Sequence, residues 1–173
     1  MTSADDALGR LWAGWRSEYV ADIEAATSAT DEGTLFERLG SADIEDSVSR
    51  VVWRGEYTFA ILNAYPYSTG HLMVVPYRAV AELDALTPDE SAELWATVTA
   101  GVAALREAYD PDGFNVGLNL GKAGGAGVPD HLHVHCLPRW SADTNFMTSV
   151  ADTRVLPESL DSTWRRLRDA WPG

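Results

Sequence analysis

The chain has 173 residues, of which 46% are hydrophobic, which is enough for one domain with a full core and short for two. Its formal net charge of -13 at pH 7 argues against a nucleic-acid partner, because such binding needs many Lys and Arg side chains, but it does not exclude a small phosphate ligand. The longest apolar runs are far below the roughly 20 residues of a membrane span and the first residues lack the basic start of a signal peptide, so we expect no membrane partner and a cytoplasmic location.

The first half of the chain predicts one helix, one loop and three strands. Apolar residues recur at three- and four-residue steps over residues 8–23, which favours an amphipathic helix, and residues 26–33 form an acidic Ser/Thr-rich loop. Runs rich in β-branched and aromatic residues then predict an antiparallel meander of strands over residues 48–53, 57–62 and 71–75.

The second half predicts a long helix, two strands and a final helix. Thr87 to Glu90 form a capping box with Pro88 at the first helical position, and an apolar stripe continues this helix to Tyr109. Alternating apolar residues predict half-buried strands over residues 114–120 and 131–137, and residues 158–171 predict a helix. This order of elements indicates an α+β domain built on an antiparallel sheet.

Three of the four histidines lie on one face of the last predicted strand. His131, His133 and His135 alternate with apolar residues, so their side chains are spaced at roughly 6.6 to 7 Å along one surface. Three interpretations are open: a polar face without function, a metal site completed by the third histidine or by His71, and covalent catalysis in which one imidazole attacks phosphorus. The single cysteine, Cys136, excludes an internal disulfide and a Cys-based zinc site.

The glycine-rich loop before these histidines favours covalent catalysis. Residues 121–127 contain four glycines, which allow backbone N–H groups to turn toward an anion, although a long flexible hairpin is the alternative. It is not a Walker loop, because Ala123 stands where a Ser or Thr would ligate magnesium.

The histidine motif resembles the signature of the histidine-triad (HIT) family. Residues 131–139 carry the triad followed by Cys-Leu-Pro-Arg, and residues 59–63 with 70–76 are similar to the family's nucleoside-binding strand pair. The likeness covers about residues 50–147. Residues 11–16, 119–127 and 138–147 more narrowly resemble the bacterial branch that includes diadenosine tetraphosphate phosphorylases.

The resemblance implies a role for each candidate site residue. His133 would be the nucleophile, His135 would contact phosphate oxygens, and His131 would fix the tautomer of His133 through the local backbone. Nucleotide and phosphate contacts would come from Asn63 at the ribose, and from Asn119, Gly125, Ala126 and Gly127 at the phosphates. His71 would either contact the ligand or make a structural hydrogen bond.

For the whole chain, the resemblance implies a HIT-like α+β fold, with about five antiparallel strands and the long helix packed on one face. The core would span about residues 48–147, with an N-terminal extension over residues 1–47 and a C-terminal helix over about residues 157–171. The implied function is nucleotidyl transfer from dinucleoside polyphosphates, foremost phosphorolysis of diadenosine tetraphosphate to ATP and ADP. The alternatives are a HIT-type hydrolase that releases AMP and a non-catalytic nucleotide-binding sensor, with a metalloenzyme third.

The resemblance also bears on cofactors and partners. Many bacterial relatives hold zinc with a pair of cysteines and histidine, but this chain has Thr34-Leu35-Phe36-Glu37 there, so we expect no structural zinc. We expect no required cofactor; a divalent cation bound with the nucleotide is compatible with this expectation. The partners would be an adenine nucleotide or dinucleoside polyphosphate, inorganic phosphate and a second copy of the chain in a homodimer.

Overall fold

The computed structural model describes residues 33–141, 143 and 158–173. The helix predicted over residues 8–23, nearly all of the loop predicted over residues 26–33, and much of the segment over residues 138–147 lie outside these residues. No helix of the described part of the chain is long and apolar enough to cross a membrane.

Five strands and four α-helices make up the described fold. The helices are α1 (Leu35–Gly40), α2 (Asp46–Ser49), α3 (Pro88–Tyr109) and α4 (Leu160–Asp169). The strands are β1 (Val51–Arg54), β2 (Thr58–Leu62), β3 (Leu72–Pro76), β4 (Gly113–Gly117) and β5 (Val134–Arg139).

All five strands join one antiparallel sheet in the order β1-β2-β3-β5-β4. Helix α3 packs against β2, β3 and β5. The predicted α+β class, with a five-stranded antiparallel sheet and a long helix on one face, is therefore confirmed.

The two faces of the sheet carry separate apolar clusters. The helix face, which α3 and α4 cover, contains Leu72, Val74, Val134 and Cys136 among its buried residues. The opposite face, which we call the histidine face, contains Phe36 of α1 together with Phe59, Ile61, Met73 and Val75 of the strands.

Helix α3 begins as its sequence predicts. The Thr87 hydroxyl accepts a hydrogen bond from the Glu90 N–H at 3.2 Å, and the Glu90 carboxylate accepts one from the Thr87 N–H at 2.8 Å. Arg78 also donates to Glu90 at 2.6 Å, and these bonds hold the pKa of Glu90 at about 2. The ion pair of Arg78 with Glu90 thus links the start of α3 to the loop that follows β3.

Strand β1 starts later than its composition predicts. Val48 and Ser49 belong to α2, where the Ser49 N–H donates to the Glu45 carbonyl at 3.0 Å. Arg50 then ends this helical turn in the left-handed region, with φ of 64°. The β-branched residue Val48 is therefore taken into a helical turn, and β1 begins at Val51.

The two strands of the second half also differ from their predicted bounds. Residues 118–120 lie outside the sheet, so β4 ends at Gly117. The alternation predicts one buried face of apolar residues, but Val116 on this edge strand is 43% exposed. Strand β5 begins at Val134, because the Leu132 N–H donates to the Val80 carbonyl at 2.7 Å instead of joining the ladder.

Candidate active site

The side chains of the three triad histidines lie together on the histidine face, although only His135 is within a regular strand. His135 pairs with Met73 on β3 and with Gly117 on β4, which places its side chain on the face opposite α3. The Phe36 ring lies 5.5 Å from the ring of His131 and 5.0 Å from that of His133, measured between centroids. All three histidines are at least nine-tenths buried, so this is an internal site and not an open polar surface.

The ring of His133 is oriented by its own main chain. Its Nδ1 lies 2.9 Å from the carbonyl oxygen of His131. A carbonyl oxygen can only accept, so Nδ1 carries the proton, and the neutral ring keeps the lone pair on Nε2. His133 also lies between the Phe36 ring and the His135 ring, the latter 5.0 Å away and nearly perpendicular. The arrangement leaves His133 with an oriented, unprotonated Nε2.

His131 is held by two hydrogen bonds that leave neither ring nitrogen for a ligand. Its Nε2 donates to the carbonyl oxygen of Pro76 at 2.8 Å, and its Nδ1 accepts from the hydroxyl of Thr34 at 2.6 Å. Burial is the main cause that lowers the pKa of His131, which keeps the ring neutral. The ring thereby fixes the carbonyl of its own residue, which His133 uses.

His135 is in contact with the fourth histidine of the chain. Its Nδ1 lies 2.8 Å from Nε2 of His71, which directly precedes β3 and is 1% exposed. Burial, and then the proximity of the His133 ring, lower the pKa of His135 to about 4. His135 is therefore neutral near pH 7.

Asn63 and the turn between β2 and β3 surround His71. The Asn63 side-chain oxygen accepts from the Tyr65 N–H at 2.8 Å, which turns its amide nitrogen toward His71, 3.4 Å from Nδ1. The Tyr67 N–H donates to the same Nδ1 at 3.0 Å, and the Tyr67 ring lies 4.6 Å from the His71 ring. The structure thus places Asn63 beside the histidine cluster; its contact with a ribose stays a prediction.

The glycine-rich loop starts next to His135. Gly117 is the last residue of β4 and pairs with His135. The Asn119 side chain reaches across the loop to the carbonyl oxygen of Gly125, at 3.5 Å. The pairing of β4 with β5 therefore starts the loop beside His135, and the contact of Asn119 with a phosphate stays a prediction.

Several amides of this loop are already used within it. A tight turn over Lys122–Gly124 is followed by Gly125, whose φ is 91°. The Gly125 N–H donates to the Lys122 carbonyl at 3.1 Å, and the Ala126 N–H to the Gly121 carbonyl at 3.2 Å, whereas Gly127 takes part in neither bond. An anion would have to compete with these bonds, and the phosphate contacts of Gly125, Ala126 and Gly127 stay predictions.

The segment that replaces the cysteine pair of bacterial relatives does not fit a zinc ion. Thr34 caps α1: its hydroxyl accepts from the Glu37 N–H at 3.3 Å, and the Glu37 carboxylate accepts from the Thr34 N–H at 2.7 Å. The hydroxyl also donates to His131, whose other nitrogen is bonded to Pro76. Over residues 33–141, 143 and 158–173, no group of three or more His, Cys, Asp or Glu side chains is placed to hold a metal.

We expect the Thr34 hydroxyl to stabilise the fold. Replacing Thr34 by alanine removes the helix cap and leaves Nδ1 of buried His131 without a donor, so the free energy of unfolding should fall by about 2 kcal/mol. Thr34→Ser keeps the hydroxyl and is the matched control, with a loss of less than about 0.5 kcal/mol. Urea unfolding of both variants measures the difference, and equal stabilities would contradict this account.

Two contributors to the site were missed from the sequence. The resemblance draws attention to Thr34 only as a residue in the place of a zinc ligand, although the T-x-x-E spacing of Thr34 and Glu37 is the same capping signature that predicts the start of α3. Tyr67 contributes through its main-chain N–H, for which a side-chain pattern gives no signal.

Arg139 takes no part in the histidine cluster. It pairs with Gly113 at the other end of β4 and donates to Asp143 at 2.7 Å and to Asn115 at 2.6 Å. Arg139 is exposed, so it is a surface residue of the fold.

Comparison with known proteins finds relatives that share this motif region. The family model described as HIT domain matches residues 45–142. A protein named AP-4-A phosphorylase from Mycobacterium tuberculosis is 41% identical over 167 residues, which cover 96% of this chain and 86% of that protein. An asymmetrical bis(5'-nucleosyl)-tetraphosphatase from Schizosaccharomyces pombe is 36% identical over 95 residues, or 55% of this chain and 52% of that protein.

Solved structures share the fold as well. A protein described as a Zn-bound histidine triad family protein from Mycobacterium smegmatis has a TM-score of 0.64 and 27% identity to this chain. The match covers 80% of this chain and 92% of that one. The sheet order and the position of α3 described above are therefore those of a known fold.

Proposed function

This chain belongs to the histidine-triad (HIT) family, and we propose that it transfers a nucleotidyl group from a dinucleoside polyphosphate through a covalent nucleotidyl-histidine intermediate. The specific reaction we propose is phosphorolysis of diadenosine tetraphosphate to ATP and ADP. The relative from M. tuberculosis, which is named for this type of activity and matches nearly the whole chain, supports that choice.

One observation carries the proposal: the oriented ring of His133. The hydrogen bond from its Nδ1 to the His131 carbonyl sets the lone pair on Nε2, and the same bond stabilises the ring when Nε2 forms a bond to phosphorus. A neutral imidazole is nucleophilic near pH 7 and is a good leaving group once it has been nucleotidylated. A protein that only binds nucleotides has no use for this arrangement.

The reaction would proceed in two displacements at the same phosphorus. Nε2 of His133 attacks the α-phosphorus, and the bond to the bridging oxygen breaks, so that ATP leaves and AMP stays on the ring. An oxygen of inorganic phosphate then attacks this phosphorus, the P–N bond breaks, and ADP leaves with His133 restored. Each displacement inverts the phosphorus, so the overall reaction proceeds with retention.

The neighbouring residues would bind the substrate around His133. His135, which lies on β5, would contact phosphate oxygens. Asn63, which lies at the turn after β2, would bind the ribose. Asn119 and the loop residues would hold the rest of the phosphate chain, with Gly127 the candidate whose N–H is outside the loop's own turn. Lys122, the one lysine in the sequence, lies in this loop and adds a local positive charge to an acidic protein.

Product analysis tests this function. The protein is incubated with diadenosine tetraphosphate, with and without inorganic phosphate, and the products are separated by chromatography. ATP and ADP in the presence of phosphate support phosphorolysis. AMP and ATP at a rate indifferent to phosphate would make the protein a hydrolase, and nucleotide binding without turnover would make it a sensor.

The proposal requires no cofactor. Thr34 forms hydrogen bonds with both Glu37 and His131. The region where bacterial relatives hold zinc would therefore need no metal here, and a divalent cation would enter only with the nucleotide. A chelator arm in the product assay, with magnesium added back, separates the two cases. Loss of activity that only zinc restores would contradict this part of the proposal.

We also propose that the protein acts as a homodimer in the cytoplasm. Among the residues that the structure describes, no strand pairs with the outer edge of β4, and Val116 on β4 and Trp95 on α3 are 43% and 45% exposed. The strong negative charge argues against nucleic acid as a partner, whereas a small nucleotide or phosphate can be held against it by a few local donors. Sedimentation gives the mass in solution directly, and a monomer would contradict the dimer.

A further inference from the structure

The main-chain carbonyl that orients the His133 ring lies outside the sheet. Strand β5 begins at Val134, so the ladder of hydrogen bonds does not hold the carbonyl oxygen of His131, which accepts from Nδ1 of His133 at 2.9 Å. The contacts around His131 must therefore keep this oxygen in place. A displaced carbonyl would turn the His133 ring, and with it the lone pair on Nε2, away from its direction of attack.

Three N–H donors hold the segment around this carbonyl. The Leu132 N–H donates to the Val80 carbonyl at 2.7 Å. The His131 N–H donates to the Val128 carbonyl at 3.3 Å, and its ring Nε2 donates to the Pro76 carbonyl at 2.8 Å. These bonds leave Nδ1 of the buried ring with a lone pair that still needs a donor.

Thr34 supplies that donor from the other side of the ring. Since Nε2 of His131 carries the ring proton, the Thr34 hydroxyl, 2.6 Å from Nδ1, must donate. The ring is thus held between Pro76 at the end of β3 and the N-cap of α1. The same hydroxyl accepts from the Glu37 N–H at 3.3 Å, so one group both caps α1 and supports the ring.

Helix α1 contacts the nucleophile a second time through Phe36. This side chain is 4% exposed and lies two residues after Thr34. Its ring is 5.0 Å from the ring of His133 and 5.5 Å from that of His131, measured between centroids. Because Thr34 fixes the start of α1 against His131, it also fixes the place of the Phe36 ring beside His133.

We propose that Thr34 is a positioning residue for the covalent step: its hydroxyl holds the His131 ring, and through it the carbonyl that orients the His133 imidazole for attack. The attack itself rests on the function proposed above, whereas the path from Thr34 to His133 rests on the hydrogen bonds alone. The role differs from the stabilisation of the fold by Thr34, because a change that only weakened the fold would leave the folded protein fully active.

A substitution that keeps the shape of the side chain isolates the hydroxyl. Thr34→Val removes the donor and leaves Nδ1 of buried His131 unpaired, which the ring can relieve only by moving. In single turnovers of diadenosine tetraphosphate, we expect the Val variant to nucleotidylate His133 about tenfold or more slowly, with substrate Kd much less changed. Thr34→Ser keeps the hydroxyl and should stay within about twofold of the wild type. Equal rates in the Val and Ser variants would overturn the proposal.

Thr87→Val is the matched control for the loss of a helix cap. Thr87 has the same place in the capping box of α3, where its hydroxyl accepts from the Glu90 N–H at 3.2 Å. Among the residues that the structure describes, this hydroxyl has no histidine partner. We expect Thr87→Val to be less stable than the wild type, yet to react within about twofold of its rate. Slowing as large as that in Thr34→Val would assign the effect to a weakened fold and overturn the proposal.

Nitrogen-15 NMR of the histidine rings tests the proposal without substrate. Signals that disappear in His131→Gln and in His133→Asn identify the two rings. We expect wild-type His133 to be protonated at Nδ1 and bare at Nε2, and Thr34→Val to show both tautomers of His133, because the displaced carbonyl no longer selects one. Unchanged His133 signals in the Val variant would overturn the proposal.

The same spectra keep the proposal apart from the proposed function. Inactivity of the wild-type protein toward diadenosine tetraphosphate would count against the function, whereas the tautomers would still be measured. Should Thr34→Val not fold, the wild-type ring of His131 decides. We expect it to be protonated at Nε2 and bare at Nδ1, and a proton on Nδ1 would exclude Thr34 as the donor and overturn the proposal.

Discussion

Replacing His133 by asparagine should abolish turnover while nucleotide binding persists. The asparagine amide can still donate to the His131 carbonyl as Nδ1 does now, but it offers no nucleophilic lone pair in place of Nε2. We expect kcat to fall by about 10,000-fold or more, because the residue that forms the covalent bond is lost. The nucleotide Kd should stay within about tenfold, which corresponds to about 1.4 kcal/mol. Single-turnover kinetics and calorimetry measure the two quantities.

Cys136 provides the control for structural damage close to His133. Cys136 lies three residues after His133, and its side chain is buried on the helix face, away from the histidines. Cys136→Ala should lower stability, yet keep kcat within about twofold of the wild type, since it removes no group from the site. Near wild-type turnover in His133→Asn would show that another residue is the nucleophile.

Inorganic phosphate should change the product from AMP to ADP. Once AMP is attached to His133, the outcome depends on which nucleophile occupies the site left by ATP. The loop that carries Asn119, Lys122 and Gly127 starts where β4 pairs with His135, and donors there would raise the local concentration of phosphate above that in solution. With labelled phosphate present, we expect the label in ADP and none in ATP.

Chloride at the same ionic strength is the control for this experiment. Added salt alone should lower the rate slightly, because it screens the attraction between the anionic substrate and the loop lysine. A rate and a product pattern that phosphate changes no more than chloride does would contradict phosphorolysis and favour the hydrolase.

The periodicity of the sequence predicted the parts of the site that depend on neighbours along the chain. The alternation from His131 to Cys136 correctly divided the histidines from the apolar residues of the helix face, since side chains of an extended segment alternate whether or not it is paired. The capping box at Thr87 and Glu90 likewise located α3, because a cap is a local structure.

The remaining features depend on contacts between distant residues. Thr34 meets His131 across 97 positions, and His71 meets His135 across 64, so no local pattern indicates either pair. The strand predicted from residue 131 begins at Val134, because the Leu132 N–H finds its acceptor in Val80 and not in the sheet. Composition likewise placed Val48 in a strand, whereas the hydrogen bonds to Glu45 hold its segment in a helical turn.

Trapping the covalent intermediate is the most direct test of the account. The protein is mixed with adenosine-labelled diadenosine tetraphosphate in the absence of phosphate, quenched in base, where a phosphoramidate survives, and digested for peptide mapping. We predict one AMP group on the peptide that contains residues 131–135, attached to His133, and none in His133→Asn. ATP released by the wild-type protein without any adduct on His133, or with the adduct on another residue, would contradict the central claim.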